Sequence, residues 1–589
     1  MKHFLYFFST YNKYLPSGIY ALLVLTVLVA FADGLGISML LPLLNTLEIS
    51  DEGSDENILF TISNFLGISG SLNGILLFMF LIFLGKAILK FAAGYFKSSL
   101  FKNLYRTLKT QFYDSVLHVN YQYFTQKNTG YFITVMETHV NRMVRSFDLF
   151  VNLVTAAVMA VSYLVVAGLI SWEVSVMAVV LGIGIFGLLS VVNRFVRRIS
   201  SKISVEEKHM NQVAVQALHA FKYVVSTASY RPIQHQYERS INTITQLQFK
   251  TKLANAFTSA IQELMAVTLL IAMIIIEVVI LGHPIGAVFV ILLLFYRGVN
   301  QTMSVIQNWQ ELVSYHGYVV SVDQELDALS ENRVQDGTLR LTGAINHQTT
   351  TFSDVTFSFD DTEEPVIDRL SFELQPNTTV AFVGPSGAGK TTIVDILTGL
   401  LVPQSGKISV GSQDLQGTLI EDWRQKIGYV AQDLTVFDDT VSNNISLFVE
   451  NAKEDEIIRA AKMASAHEFI SELPDGYETR IGDKGVRLSG GQKQRLFIAR
   501  ELFKKPDLLI LDEATSALDS TSEHSIKESI DQLKGKITVV IIAHRLSSIK
   551  DVDKIYVLDK GTIVESGTYA DLSNRKSSRF SGMVEMQNL

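Results

Sequence analysis

The residues best suited to chemistry in this chain form a glycine-rich run, GPSGAGKT, from Gly384 to Thr391. Its G-x-x-x-x-G-K-[ST] spacing turns backbone N–H groups inward around phosphate oxygens, with Gly384, Pro385, Ser386, Gly387, Ala388 and Gly389 forming the turn. Lys390 then reaches the outer phosphates, and Thr391 offers a hydroxyl to Mg2+. Thr391 and Thr392 open the following helix, whose N-terminus favours an anion. A second stretch, LLILDEATSALD, predicts a buried strand over Leu508–Leu511 that ends in Asp512 and Glu513. Asp512 suits the shell of Mg2+, and Glu513 is placed to polarise an attacking water. In a third stretch, RLSGGQKQR, the residues Leu488, Ser489, Gly490, Gly491 and Gln492 predict another phosphate-cradling turn at a helix N-terminus. One nucleotide has no use for two cradles in one domain, so this one is expected to close over a nucleotide held by another copy.

The elements that must position these residues fall in the second half of the chain. From about residue 346 to 589, short apolar strands alternate with glycine turns and charged helices, which predicts a soluble α/β domain. Residues 1–310 differ sharply. They hold nearly all the long apolar runs, and six are expected to cross a bilayer: about 19–44, 75–96, 149–171, 174–196, 258–281 and 285–306. Residues 311–345 read as a helix leaving the membrane followed by a polar connector. Across the whole chain 48% of residues are hydrophobic and 18% charged, and the net charge is −8. Mean hydropathy is +0.26. That balance points to a membrane protein and gives no reason to expect nucleic acid as a partner. With no cysteine, the chain cannot use a thiolate nucleophile, a thiolate metal site or a disulfide. The opening MKHFLYFFSTYNKYLPSG lacks a small-residue cleavage site and reads as an interfacial helix on the cytoplasmic side, not a cleaved signal.

The connectors set the expected orientation. The acidic stretch after the first span has no Lys or Arg, whereas the long connectors 97–147 and 197–255 are rich in both. The latter two are therefore expected in the cytoplasm, with both termini and the α/β domain. Their helical periodicity predicts that spans 2 to 5 continue well past the bilayer. Within the spans themselves sit Asp33, Lys86, Lys90 and Arg297. Lys90 is expected to snorkel. At about 1.5 Å of rise per residue, Lys86 and Arg297 lie at similar depth near mid-membrane. Arg297 is followed by Asn300, Gln301, Ser304 and Asn308, a spacing that puts them on one helical face. This stripe, with Lys86 and Asp33, is expected to line a substrate cavity; the competing reading is an ion pair of Asp33 with Lys86.

The three phosphate-associated stretches and the IIAHR at 541–545 together resemble the ATP-binding cassette (ABC) transporters of the exporter type. The resemblance is most specific over about 346–575, and LSGGQ is its sharpest mark. It implies a six-helix all-α transmembrane domain joined to an α/β P-loop nucleotide-binding domain, with ATP and Mg2+ as cofactors. By position in the motifs, Gln432 in YVAQD is similar to the glutamine that touches Mg2+ and the membrane domain. His544 is similar to the histidine that contacts the γ-phosphate, and Asp519 to the residue that couples two ATP sites. ETRIGDKG at 478–485 and YFTQKNTG at 123–130 resemble the segments through which cassette and membrane domain meet. Phe359 stands where the family usually stacks a tyrosine on adenine; an aromatic face is enough for stacking.

One phosphate loop and one signature per chain imply pairing, expected as a homodimer in the cytoplasmic membrane. Acid in span 1, base in span 2 and Arg in span 6 are similar to flippases of lipid-linked oligosaccharides. The expected function is therefore ATP-driven export of an anionic lipid-linked cargo. The alternatives are a lipid A or general lipid flippase, a multidrug exporter, a peptide exporter and a cassette-gated regulator.

Overall fold

The computed structural model describes residues 2–40, 43, 72–127, 129–170, 172–276, 285–341, 347–359, 364–482, 485, 487–512, 528, 530–543, 545–575 and 578–588. The chain divides into two compact units, residues 1–119 with 124–333, and residues 120–123 with 334–589.

The first unit is helical. After α1 (Lys2–Tyr14) come α2 (Gly18–Ser38) and α3 (Leu72–Leu117), then the short α4 (Tyr121–Gln126), whose first three residues count with the second unit, and α5 (Thr129–Thr134). A single π-helical turn, Val135–His139, joins α5 to α6 (Val140–Ile170). Next are α7 (Trp172–His219), the short α8 (Phe221–Ser226), α9 (Tyr230–Ile274), α10 (Ile285–Ser314) and α11 (His316–Glu331). Among the described residues, three stretches are long and apolar enough to cross a membrane: Gly18–Ile37, Leu72–Leu117 and Thr129–Gly168. Helices α3, α7 and α9 have 46, 48 and 45 residues, so each runs about 70 Å, more than twice a hydrocarbon core of about 30 Å.

Packing in this unit relies on close approach. A Cβ at Gly34 would stand 3.0 Å from Val166 Cγ2, so α2 and α6 meet where a side chain is missing. Ile37, Tyr163, Ala167, Val290 and Leu294 form an apolar cluster shared by α2, α6 and α10. The stretch 311–345 is helical through Glu331, because α11 buries Val319, Val322, Leu326 and Leu329 within the first unit. Buried Glu325 accepts hydrogen bonds from Lys127 Nζ at 2.8 Å and Tyr131 Oη at 2.6 Å, which pins the start of α5 to α11.

The second unit is built on two sheets. Strands β1 (Thr350–Phe357), β2 (Ile367–Leu374), β4 (Ser405–Val410) and β5 (Gln413–Asp414) form an antiparallel sheet in the order β2-β1-β4-β5. The other sheet runs β10-β9-β3-β8-β7-β6. Its parallel core consists of β3 (Thr379–Val383), β6 (Ile427–Val430), β7 (Leu508–Asp512), β8 (Thr538–Ile542) and β9 (Lys554–Asp559); β10 (Thr562–Gly567) pairs antiparallel at the edge. The parallel strands are continuous apolar runs because both faces are covered. Alternation divides them: Val380, Phe382, Leu508, Ile510, Val540 and Ile542 enter one core, while Ala381, Val383, Leu509, Leu511, Val539 and Ile541 enter the other.

Candidate functional site

The phosphate loop leaves the end of β3 and runs into α12 (Lys390–Leu397). Gly389, the residue before the helix, has φ +96°, and a Cβ there would come within 2.7 Å of Ile367 Cδ1 and 3.2 Å of the Val366 carbonyl. Conformation and space both demand glycine. At Gly384 a Cβ would stand 2.4 Å from the Leu558 carbonyl. Pro385, Ser386, Gly387 and Thr391 are exposed, whereas Ala388, Lys390 and Thr392 are buried. Lys390 Nζ donates to the carbonyls of Gly384 at 2.8 Å and Pro385 at 3.0 Å, so its ammonium folds back over the loop. A concave turn of backbone amides, a buried ammonium and an open helix N-terminus fit a polyphosphate.

Asp512 lies at the carboxyl end of β7, separated from β3 by β8. Its neighbours are Tyr429, whose hydroxyl is 3.4 Å from Asp512 Oδ2, and Asp395 of α12. Burial and the Asp512 charge push the Asp395 carboxyl up to about 6. Burial, Asp512 and Asp395 also push the Tyr429 hydroxyl up. Acidic oxygens therefore converge beside α12, the helix that the phosphate loop opens, and oxygen is the donor type that Mg2+ takes. Gln432 is exposed in the loop after β6. Phe359, 41% exposed, stands edge-on to Phe357 with ring centroids 5.0 Å apart. Glu513, Asp519 and His544 lie outside the described residues.

The signature stretch opens the 14-residue helix α15 (Gly490–Phe503); the helices that precede it in this unit include α13 (Val441–Ser446) and α14 (Glu454–Met463). Ser489 caps α15 reciprocally: its hydroxyl accepts from the Gln492 N–H at 3.2 Å, and its own N–H donates to Gln492 Oε1 at 2.9 Å. Leu488 and Gly491 are buried, while Ser489 and Gly490 are exposed. Arg500, further along the same helix, donates to Asn444 and Thr435 and anchors α15 to α13; burial pulls its guanidinium down to about 10. Leu496 and Ile498 of α15 belong to one core and Ile393 and Val394 of α12 to the other, so the two phosphate-type helices flank opposite faces of the sheet.

In the helical unit, the carboxylate of Asp33 on α2 gathers three donors. Lys86 on α3 donates to Oδ1, and Tyr163 on α6 donates to Oδ2. Arg297 on α10 reaches Oδ1 at 3.1 Å and Oδ2 at 3.3 Å through the single nitrogen Nη1. The ion pair of Asp33 with Lys86 thus forms, and Arg297 joins it. Side-chain exposure rises from 4% for Asp33 through 19% for Lys86 to 37% for Arg297. Counted at ordinary protonation states, one acid and two bases leave one positive charge over. Tyr163 carries no sequence signal; it is one more aromatic in an apolar helix.

The stripe beyond Arg297 is only partly presented. Asn300 is exposed and Gln301 half-buried. Ser304 Oγ donates to the Asn300 carbonyl at 3.0 Å, and Asn308 Nδ2 to the Ser304 carbonyl at 2.7 Å, so both turn back on their own helix. Among the described residues, a polar cavity of about 810 Å³ opens between α6, α7, α9, α10 and α11. From α10 it takes Gln307, Gln310, Glu311 and Ser314, a set that begins only at the far end of the expected stripe and includes none of its residues.

Comparison with known proteins agrees with this architecture. The ABC transporter family model matches residues 367–516, and the ABC transporter transmembrane region model matches 19–302. The heterocyst differentiation ATP-binding protein HepA of Nostoc sp. is 31% identical over 491 residues, 83% of this chain and 80% of that protein. An ATP-dependent lipid A-core flippase of Idiomarina loihiensis is 31% identical, covering 86% of this chain and 87% of its own. A multidrug resistance ABC transporter ATP-binding and permease protein of Lactococcus lactis is 28% identical over 82% of each. The solved structure of a bacterial Atm1-family ABC exporter with ATP bound shares the fold, with TM-score 0.78, 24% identity, and coverage of 98% and 99%. The chain belongs to the ABC transporters, as an exporter half-transporter whose helical membrane domain and ATP-hydrolysing cassette are one polypeptide.

Proposed function

We propose that this exporter is a homodimeric flippase that moves an anionic, amphipathic lipid across the cytoplasmic membrane, with a lipid-linked oligosaccharide on a diphosphate as the favoured cargo. The observation that supports this most is the Asp33–Lys86–Arg297 cluster, which leaves one positive charge over among apolar helices. Uncompensated charge in a membrane segment is costly and marks a functional site. Arg is also the side chain best matched to phosphate. Relatives described as lipid A-core flippases point the same way.

The drive is ATP hydrolysis. Each ATP would sit on the phosphate loop of one chain and under Ser489–Gln492 of its partner. Thr391, Asp512 and Gln432 would hold Mg2+, which neutralises phosphate charge when bound. Glu513 orients water, His544 steadies the γ-phosphate, Phe359 stacks on adenine and Asp519 couples the two sites. Closure over ATP turns the membrane cavity outward, and hydrolysis resets it. The basic connectors put both termini and the cassette in the cytoplasm.

A second reading, multidrug export, draws on the Lactococcus lactis relative and on the amide- and hydroxyl-rich cavity. Proteoliposomes separate the two. ATP-dependent movement of a fluorescent polyprenyl-diphosphate lipid, without movement of hydrophobic cationic dyes, supports the flippase; the reverse result replaces it.

A further inference from the structure

We propose that Asp33 is an internal competitor for Arg297, standing in for the acidic group of the cargo until the cargo displaces it. This inference rests on the anionic-cargo reading and adds a specificity device to it.

Three features of the cluster support an exchangeable Arg297. Its contact with Asp33 uses one nitrogen, Nη1, for both oxygens. A guanidinium is held better by a two-nitrogen fork, which phosphate readily accepts. Second, Asp33 does not need Arg297 to be satisfied. Lys86 on Oδ1 and Tyr163 on Oδ2 remain if Arg297 swings away, and Asp33 with Lys86 alone is a neutral pair. An unpaired buried carboxylate, the usual penalty for breaking such a contact, is therefore avoided. Third, exposure is graded: Tyr163 and Asp33 are enclosed, and Arg297 is the most open member. Gly298, the next residue, packs its Cα side on Tyr163, where a Cβ would stand 3.7 Å from Tyr163 Cβ; α10 approaches α6 closely there. Lys86 and Tyr163 are thus positioning residues. They hold Asp33 so that Arg297 is retained weakly, and cargo binding would break the polar tie between α2 and α10.

Asp33→Asn and Tyr163→Phe make opposite predictions. The first removes the competitor's charge. The second removes a hydroxyl that also touches Arg297, but it leaves Oδ2 to Arg297 alone and so tightens the internal pair. With a polyprenyl-diphosphate lipid in phosphatidylcholine nanodiscs, the half-maximal concentration for stimulating ATP hydrolysis should fall about fivefold in Asp33→Asn and rise about fivefold in Tyr163→Phe. A general packing defect would shift both in the same direction, and that result, or no shift in either, overturns the inference. Phenylglyoxal modification of Arg297, read by peptide mass without any lipid ligand, should rank Asp33→Asn above wild type and wild type above Tyr163→Phe; any other order also overturns it. If wild type is not stimulated by the diphosphate lipid yet this reactivity order holds, the cargo reading fails and the exchangeable Arg297 stands.

Discussion

Arg297 Nη1 meets Asp33 Oδ1 at 3.1 Å across 264 residues of sequence, and the same carboxylate accepts Lys86 and Tyr163. Four helices, α2, α3, α6 and α10, therefore converge on one acid beside an apolar cluster. In such surroundings a charge count matters more than in water. The surplus belongs to the set as a whole: Lys86 neutralises Asp33, which frees the charge of Arg297 for cargo.

Lys86→Met should accordingly fold, since Arg297 and Tyr163 still satisfy Asp33, but lose its preference for anionic lipid. The ratio of ATPase stimulation by a diphosphate lipid to that by a zwitterionic lipid is expected to drop about tenfold, the loss of roughly one charge-assisted contact. An unchanged ratio would show that the surplus charge is not read by cargo.

Gly389→Ala should abolish nucleotide binding while leaving the membrane unit intact. The added methyl must occupy space 2.7 Å from Ile367 Cδ1 at a φ of +96°, which L-residues resist. Titration with a fluorescent ATP analogue is expected to show at least about a hundredfold weaker binding, some 3 kcal/mol from strain and lost amide contacts together. Binding within a few-fold of wild type would remove the cradle from this role.

Glu513→Gln keeps the size of the side chain and removes its charge. ATP binding should persist and turnover fall by about a hundred- to ten-thousandfold, the range for a general base. Rapid hydrolysis by this variant would move the water-activating role elsewhere.

Asp395 gives a pH signature. Its carboxyl is raised to about 6 by burial and by Asp512, against an unfolded value of about 3.9. The folded state then binds the extra proton between these values, so this group's contribution to stability falls as pH rises through 6. Asp395→Asn cannot ionise. Its thermal midpoint relative to wild type should therefore climb between pH 5 and 7, measured without nucleotide. A difference that stays flat over that range would mean Asp395 titrates normally.

Much of the cassette could be read from the chain, because its chemistry is local. GPSGAGKT, the strand before Asp512 and the capping pair Ser489–Gln492 are each set by residues within a dozen positions of one another. The relative level of two side chains was also legible: counting the helical rise put Lys86 and Arg297 at one height, and they meet on one carboxylate. What the chain did not disclose depends on pairings across long separations. Tyr163 reaches Asp33 over 130 residues, and Lys127 reaches Glu325 over 198. Periodicity likewise places Ser304 and Asn308 on the face of Arg297 but does not tell that their side chains bond back to their own helix. A helical face gives direction, and only the packed structure gives partners.

The most direct test of the whole account is the amount of polyprenyl-diphosphate lipid translocated per ATP hydrolysed, measured in proteoliposomes for wild type and Arg297→Ala. The account predicts coupled movement in wild type and at least a tenfold lower ratio in the variant. An equal ratio in the two proteins would contradict it.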